Sequence, residues 1–541
     1  MSETTTQHTV PAPGTGTERE ERPEPAGYPG AAQAAAAMTA HLPQRDERES
    51  DSGRPRQADI LRAIGETGYR FVRCDQTIYA VAVDGGPVAR PIRAKGGGGG
   101  TGSLRQCLIR EYIRSTGRTP SQAALADAMA SLEAIAMESP SQDIFLRVAA
   151  DPVDKWTTWL DLGRNDGVSV CIEPGSWSVL APDPVDGPLW RRSRLLREMP
   201  IPDHPPGGWK RGIELLRQVL PMSTESYPMA VAWLLAALRP NMPRPVAYLT
   251  GEQGTGKSTG GRMMLRLVDG IDAHLRSVPK TEDDLAVTTA AGWCLALDNL
   301  SGIPMWLSDF LSRVVTGDAL TKRELYSDDD VVVLLYQRPV LLTGIDVGAL
   351  QGDLAERMMP IQLEPITSRQ RRTERHLWDT YGKAHPEILG GLLDLAALVW
   401  QKIPEAADKL AERPRMADWA ELLWALDEVT GWHTLTTYTG VQEALIDDVI
   451  DGDPVATAVL RWARSHPSPW TWEGPAARLL DLLDAPASPD KDWPRTPAVL
   501  SSRLVRAAPA LRRRGVDVRK LQRTKTGRPL RISTEPGTPT G

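Results

Sequence analysis

Eight consecutive residues, Gly251-Glu252-Gln253-Gly254-Thr255-Gly256-Lys257-Ser258, fit the spacing G-x-x-x-x-G-K-[ST]. Each residue type in that spacing has a chemical use. Glycines let the backbone bend until successive N–H groups converge on phosphate oxygens, a lysine ammonium neutralises β- and γ-phosphate charge, and a serine hydroxyl ligates Mg2+. With Thr259 in the turn beyond it, the stretch is expected to cradle the phosphates of ATP and its Mg2+. The flanking residues supply the elements that such a cradle needs. Val246-Ala247-Tyr248-Leu249 reads as a strand entering the loop, and Arg262 to Val268 continues as a helix leaving it.

Further on, Trp293-Cys294-Leu295-Ala296-Leu297-Asp298 is an apolar run ending in an acid, as expected of a second core strand that delivers a carboxylate to the Mg2+ shell. Asn299 follows where many ATPases place a catalytic glutamate; an amide can orient a water but cannot take its proton. Glu252 and Glu324 are the acids left as candidate bases. A third buried strand, Pro339 to Gly344, carries Thr343 near its end, and Asp353 to Pro360 precede a last strand, Ile361-Gln362-Leu363. Asp161 with Asp166 is the nearest approach to a two-metal acidic pair, and the Asn165-Asp166-Gly167 turn accounts for Asp166 without chemistry, so nucleotide polymerisation is not expected.

At 541 residues and 41% apolar content the chain can hold several domains and bury a core. No apolar run approaches the roughly 20 residues that span a bilayer, and the N-terminus lacks a basic start followed by an apolar stretch. A cytoplasmic protein with no membrane association is expected. Cys74, Cys107, Cys171 and Cys294 are widely spaced and lack a neighbouring His cluster, so neither zinc nor a disulfide framework is expected. A net charge of −6 excludes a generic polyanion binder, but the charge is unevenly placed.

Residues 1–56 hold hardly any large apolar side chains and are expected to be disordered. Residues 57–203 read as an α+β domain. In it, Tyr69 to Val72 and Ile78 to Val83 are paired strands, Leu104 to Arg114 is a helix, and Thr119-Pro120 caps another helix to Met137. An antiparallel meander of Trp156 to Leu162, Val168 to Ile172 and Trp177 to Leu180 follows. Gly96 to Gly100 has no Lys-Ser/Thr at the needed spacing and reads as a connection. Residues 204–370 form the ATPase core and 371–455 a helical lid, with Trp419, Trp424 and Trp432 read as core.

In residues 456–533, Thr496-Pro497 caps a helix, and Val516 to Leu521 with Leu530 to Ile532 read as a strand pair, which is the plan of a winged helix. Arg503, Arg506, Arg512, Arg513, Arg514, Arg519, Lys520, Arg523, Lys525, Arg528 and Arg531 are set against Asp517 alone. That imbalance reads as a phosphate footprint for DNA. Residues 534–541 read as a disordered tail.

The order of phosphate loop, Leu297-Asp298-Asn299, Thr316-Gly317-Asp318 with downstream Lys322-Arg323-Glu324-Leu325-Tyr326, Thr343, and Glu356-Arg357 before the last strand resembles superfamily 3 helicases of the AAA+ class. It is most similar to the poxvirus-type NTPases of phage and plasmid primase-helicases, and Pro414 to Ala420 is similar to a signature after their core. The resemblance covers roughly Pro205 to Ile532. It implies an AAA+-like P-loop ATPase core and a C-terminal winged helix, so that with the N-terminal α+β domain and the helical lid read from the residues the expected fold class is α/β. It also implies that Lys257 and Ser258 hold phosphate and Mg2+ while Asp298 completes the metal shell. Arg357 would reach a neighbour's site as an arginine finger in a ring, taken as a hexamer, and Lys322, Arg323 and Tyr326 would lie on a hairpin that touches DNA. Thr343 departs from the family pattern, where an Asn usually senses the γ-phosphate. The expected function is an ATP-dependent helicase, translocase or replication ATPase of a mobile element. The competing reading is an ATP-switched initiator that does not unwind processively; a small-molecule P-loop kinase would leave the lid and the basic C-terminus unexplained.

Overall fold

The computed structural model describes residues 56–75, 77–92, 103–183, 187–193, 195–323, 331–344, 352–369, 371–410, 413–483, 493–523 and 528–534, with backbone only for 318–323, 331–336, 352 and 449. The expectations for residues 1–55, for the glycines at 96–100 and for 535–541 lie outside these. The chain divides into two compact units, 1–71 with 91–139, and 72–90 with 140–541, so the span 57–203 is shared between them.

The first unit is built on α1 (Gln57–Gly68), α2 (Leu104–Thr116) and α3 (Gln122–Ala136). Leu61, Leu104, Leu108, Leu125 and Leu132 recur at helical spacing and are fully buried. The cap of α3 differs from the expected Thr119-Pro120. Ser121 is the N-cap, its hydroxyl accepting from Ala124 N at 3.1 Å, because a hydroxyl directly before the first turn reaches the orphan N–H groups that Thr119 cannot.

Strands β1 (Tyr69–Cys74), β2 (Thr77–Ala82) and β3 (Ala89–Pro91) form one sheet, and in the second unit Val72, Tyr79, Val81 and Ala89 form a small core with Leu189. Strands β4 (Ile144–Phe145) and β9 (Leu189–Trp190) pair in parallel. Between them β5 (Val148–Ala150), β6 (Thr158–Asp161), β7 (Ser169–Glu173) and β8 (Ser176–Leu180) form the antiparallel meander, one strand larger than expected. Arg147 locks this sheet to the core. Its buried guanidinium donates to Asp161 O at 2.7 Å, Arg197 O at 2.6 Å and Asp269 O at 2.9 Å.

Helices α4 (Trp209–Val219) and α5 (Ser226–Ala237) lead to a four-stranded parallel sheet in the order β11-β14-β10-β15, from β10 (Val246–Thr250), β11 (Leu295–Leu300), β14 (Val340–Gly344) and β15 (Met358–Gln362). Strands β10 and β14 have helices or strands on all sides and are almost wholly apolar, as buried parallel strands are. The connections are α6 (Lys257–Asp269), α7 (Glu282–Ala291), α8 (Met305–Thr316), an antiparallel hairpin of β12 (Asp318–Arg323) and β13 (Val331–Tyr336), and the short α9 (Gly352–Ala355). Helices α10 (Glu374–Lys409), α11 (Ala417–Thr430) and α12 (Thr434–Gly452) follow, and α10 and α11 share one continuous core with the sheet. Trp419 is fully buried there, while Trp424 and Trp432 pack partly buried against it. Helices α4 and α10 cross closely enough that a Cβ on Gly212 would stand 2.6 Å from Glu387 O and 2.7 Å from Gly391 Cα.

The C-terminal module has its own core. Its order is α13 (Pro454–Arg464), β16 (Trp470–Gly474), α14 (Ala476–Leu482), α15 (Pro497–Arg513), β17 (Val516–Lys520) and β18 (Leu530–Thr534). The expected strand pair is therefore a three-stranded sheet, β16-β18-β17, because Trp470 and Trp472 alternate with exposed Thr471 and Glu473 and pair with Thr534 and Ile532. Among the described residues no helix is long and apolar enough to cross a membrane.

Candidate nucleotide site

The loop between β10 and α6 adopts the backbone that its glycines permit. Gly251, Gly254 and Gly256 have φ of 148°, 85° and 79°, and Gly256 caps α6 in the left-handed conformation. A Cβ on Gly251 would come within 2.9 Å of Leu363 O and 3.0 Å of Thr255 Oγ1. Buried Thr255 braces the turn by donating to Glu252 O at 3.0 Å, while Glu252, Gln253 and Gly254 are exposed. The Lys257 ammonium lies across the loop, donating to Gly251 O at 2.9 Å and Glu252 O at 2.7 Å. Ser258 and Thr259 occupy the first turn of α6, where unpaired N–H groups and the helix dipole favour an anion.

Parallel strands bring the other site residues to the same sheet edge. Asp298 and Asn299 lie near the carboxyl end of β11, and Thr343 near that of β14, beside the loop that ends β10. Ser258 Oγ donates to Asp298 Oδ1 at 2.8 Å, and Thr343 Oγ1 donates to the same oxygen at 2.5 Å. Residues far apart in the chain, Lys257, Ser258, Asp298, Asn299 and Thr343, thus stand together. A serine hydroxyl and a carboxylate beside a phosphate loop fit Mg2+, which takes few protein oxygens and completes its shell with phosphate and water.

A cavity of about 740 Å³ opens beside Gly256, Thr259 and Gly260. Leu220, Met222, Ile366 and Leu377 give it apolar walls, and Arg262 and Arg371 charged ones. Arg262 pairs with Glu374 at 3.0 Å, and its guanidinium lies 5.3 Å from the Trp378 ring centre. None of these residues stands out in the sequence. They come from the segment before α5, from α6 and from the segment entering α10, and no local pattern links them.

The remaining expected site residues are placed differently. Arg357 is buried, at 8% exposure; its guanidinium donates to Asp353 Oδ2 at 2.5 Å and to Ser312 O at 3.3 Å within its own chain. Arg415 joins the cluster, with Asp353 at 2.8 Å and Glu356 at 2.6 Å. Lys322 and Arg323 lie at the end of β12, paired in register with Val332 and Val331. Glu324, Tyr326 and Lys525 fall outside the described residues. Asp161 is buried and takes two hydrogen bonds from Arg192, at 3.0 and 2.8 Å.

The C-terminal cations are not opposed by Asp517 alone. Arg512 and Arg519 both bind Asp517, at 2.8 and 2.5 Å, Arg531 binds Glu473 at 2.5 Å, and Arg513 reaches Glu356 at 3.5 Å. Arg514 pairs with Asp447. Arg506, Lys520, Arg523 and Arg528 are exposed and make no ion pair among the described residues. The acids Glu356, Asp447 and Glu473 lie outside the basic segment, so counting charges along that segment overstates its free positive charge.

Residues 213–451 match the model of the actinomycete integrative conjugative element replication protein, and residues 455–540 match that of the AICE RepA C-terminal domain. Over these residues the chain is similar to replication proteins of integrative conjugative elements. No curated protein matches it in sequence. Among solved structures it is similar to an active helicase, Cch of SCCmec type IV, with a TM-score of 0.41 and 12% identity over 86% of this chain and 93% of that one. The NrS-1 C-terminal region gives a TM-score of 0.35 and 11% identity over 90% and 100%. JCV helicase gives 0.24 and 13% over 44% and 64%.

Proposed function

We propose that this chain binds and hydrolyses ATP at the Gly251–Ser258 loop and uses the cycle to move on or open DNA during replication of a mobile element. The observation that carries this reading is the convergence of Lys257, Ser258 and Asp298 at one sheet edge, with the two oxygens 2.8 Å apart. When bound, Mg2+ would offset charge on the terminal phosphates between Ser258 and Asp298. Lys257 exchanges two neutral carbonyls for phosphate oxygens, a stronger, charge-assisted pairing. The first turn of α6 supplies backbone donors, and the adjoining cavity receives the nucleoside.

Helix, strand, two helices and a hairpin in the C-terminal module follow the order of a winged helix, which supports DNA binding through α15 and the β17–β18 tip. Lys322, Arg323 and Tyr326 on and beyond β12 would meet DNA in the channel of a ring, a hexamer in this reading. For Arg357 to serve a neighbour's nucleotide, its guanidinium must leave Asp353, which makes the finger conditional on assembly.

The test is DNA-stimulated ATP turnover and strand displacement for wild type, Lys257→Ala and Arg357→Ala. Turnover lost in both variants, with displacement by wild type, is expected. Hydrolysis without displacement on any fork geometry would sink the helicase reading, and a fully active Arg357→Ala would sink the shared site. Asn299 favours one second reading, an ATP switch on a DNA-bound initiator, because an amide cannot act as the general base.

A further inference from the structure

The end of β11 is irregular. Its pairing with β14 runs Leu295 to Val340, Ala296 to Leu341 and Leu297 to Leu342, then resumes only at Leu300 to Gly344. Asp298 and Asn299 fill the gap, as bulges beside active sites re-aim side chains. Asn299 has φ 56°, a left-handed conformation that Asn tolerates and a glutamate does not favour. Main-chain bonds fix the irregularity on both sides. Asp298 N donates to Arg276 O at 2.8 Å, and Asn299 N donates to Thr343 Oγ1 at 3.0 Å.

Thr343 is 1% exposed, and its hydroxyl carries one hydrogen. That hydrogen goes to Asp298 Oδ1, a carboxylate oxygen that can only accept, while the Asn299 N–H binds the hydroxyl oxygen. A phosphate oxygen also needs a donor, and Thr343 has none left. The Asn299 side chain, in contrast, is exposed and makes no hydrogen bond among the described residues. Its amide offers two N–H donors. Resting on the ATP reading above, we propose that Thr343 is a positioning residue that fixes Asp298 and the backbone of Asn299. The Asn299 amide is then the catalytic-site donor to the terminal phosphate of ATP. Anchoring falls to β14 and phosphate sensing to β11.

The experiment measures ATP and ADP affinities by competition with a fluorescent nucleotide, and turnover against Mg2+ concentration, for wild type, Thr343→Val, Thr343→Ser and Asn299→Ala, with thermal melts as a fold control. Thr343→Val should raise the Mg2+ needed for half-maximal turnover about tenfold and keep the ATP-to-ADP preference within about twofold. Thr343→Ser, which restores the hydroxyl, should return the Mg2+ response toward wild type. Asn299→Ala should cut the ATP-to-ADP preference about tenfold, the worth of one charged hydrogen bond. The proposal is overturned if Thr343→Val abolishes that preference with an unchanged Mg2+ response, or if Asn299→Ala preserves it. Should Thr343→Val fail to fold, the exposed Asn299→Ala decides alone. A wild type that neither binds nor hydrolyses ATP sinks the parent reading and this proposal with it, whereas an active wild type with the wrong variant pattern sinks only the proposal.

Discussion

On the DNA-binding reading proposed above, neutralising Arg506, Lys520, Arg523 and Arg528 together should flatten the salt dependence of binding far more than neutralising Arg512 and Arg519. The first set is exposed and makes no ion pair among the described residues, on α15 and at the β17–β18 tip. The second set shares Asp517. Burial opposes ionisation of Asp517, but hydrogen bonds from Arg512 and Arg519 outweigh it and hold its carboxyl below the usual range. Two cations and one fixed anion leave a single net charge there. Each phosphate neutralised contributes about −0.9 to the slope of log affinity against log salt, so the exposed set is worth about −3.6 and the paired set about −0.9. Between roughly 50 and 200 mM salt the exposed set then accounts for about a 150-fold change in affinity, and the paired set for about threefold to fourfold. Fluorescence anisotropy on a labelled duplex across that salt range reads both slopes. The reasoning is refuted if the Arg512→Ala/Arg519→Ala chain loses as much slope as the fourfold Ala variant, or if the fourfold variant keeps the wild-type slope.

Two further outcomes follow from the helical region. His385 is buried with its Nε2 unpartnered among the described residues, and burial first, then nearby Arg266, push its pKa down to about 4. A depressed histidine pKa means that the unfolded chain takes up a proton below its ordinary 6.5 while the fold refuses it. Stability should therefore fall as pH drops from about 6.5 toward 4, by about 3 kcal/mol over the whole window, and level off beneath. His385→Phe should reduce the drop in melting temperature between about pH 7.5 and 5, and an undiminished drop would assign acid sensitivity elsewhere. Gly212→Ala would place a methyl against the backbone of Glu387 and Gly391, which cannot yield without parting α4 from α10. A loss of roughly 1–3 kcal/mol is expected, and a melting temperature equal to wild type would show that the crossing has slack.

The parts of the molecule that were legible in the sequence are those where a local backbone or period demands particular residues. Gly251, Gly254 and Gly256 stand out because their φ values leave few alternatives to glycine, and the apolar run before Asp298 because a buried parallel strand must look that way. The cavity was not legible, since Leu220, Arg262, Ile366 and Arg371 converge only after three separate segments have packed. Strand β16 did carry a signal in the alternation of Trp470, Thr471, Trp472 and Glu473, but five residues beside a helix are easily passed over. Charge shows the limit most sharply. Arginines are visible in any sequence, yet whether they can meet a phosphate depends on acids that folding brings from elsewhere: Glu356 takes Arg415 and Arg513, Asp447 takes Arg514, and Glu473 takes Arg531. Asn299 and Thr343 follow the same logic at atomic scale. Residue type alone makes Thr343 a weak substitute for a sensing amide, but its one hydrogen is already spent on Asp298, and the free amide stands on the neighbouring strand.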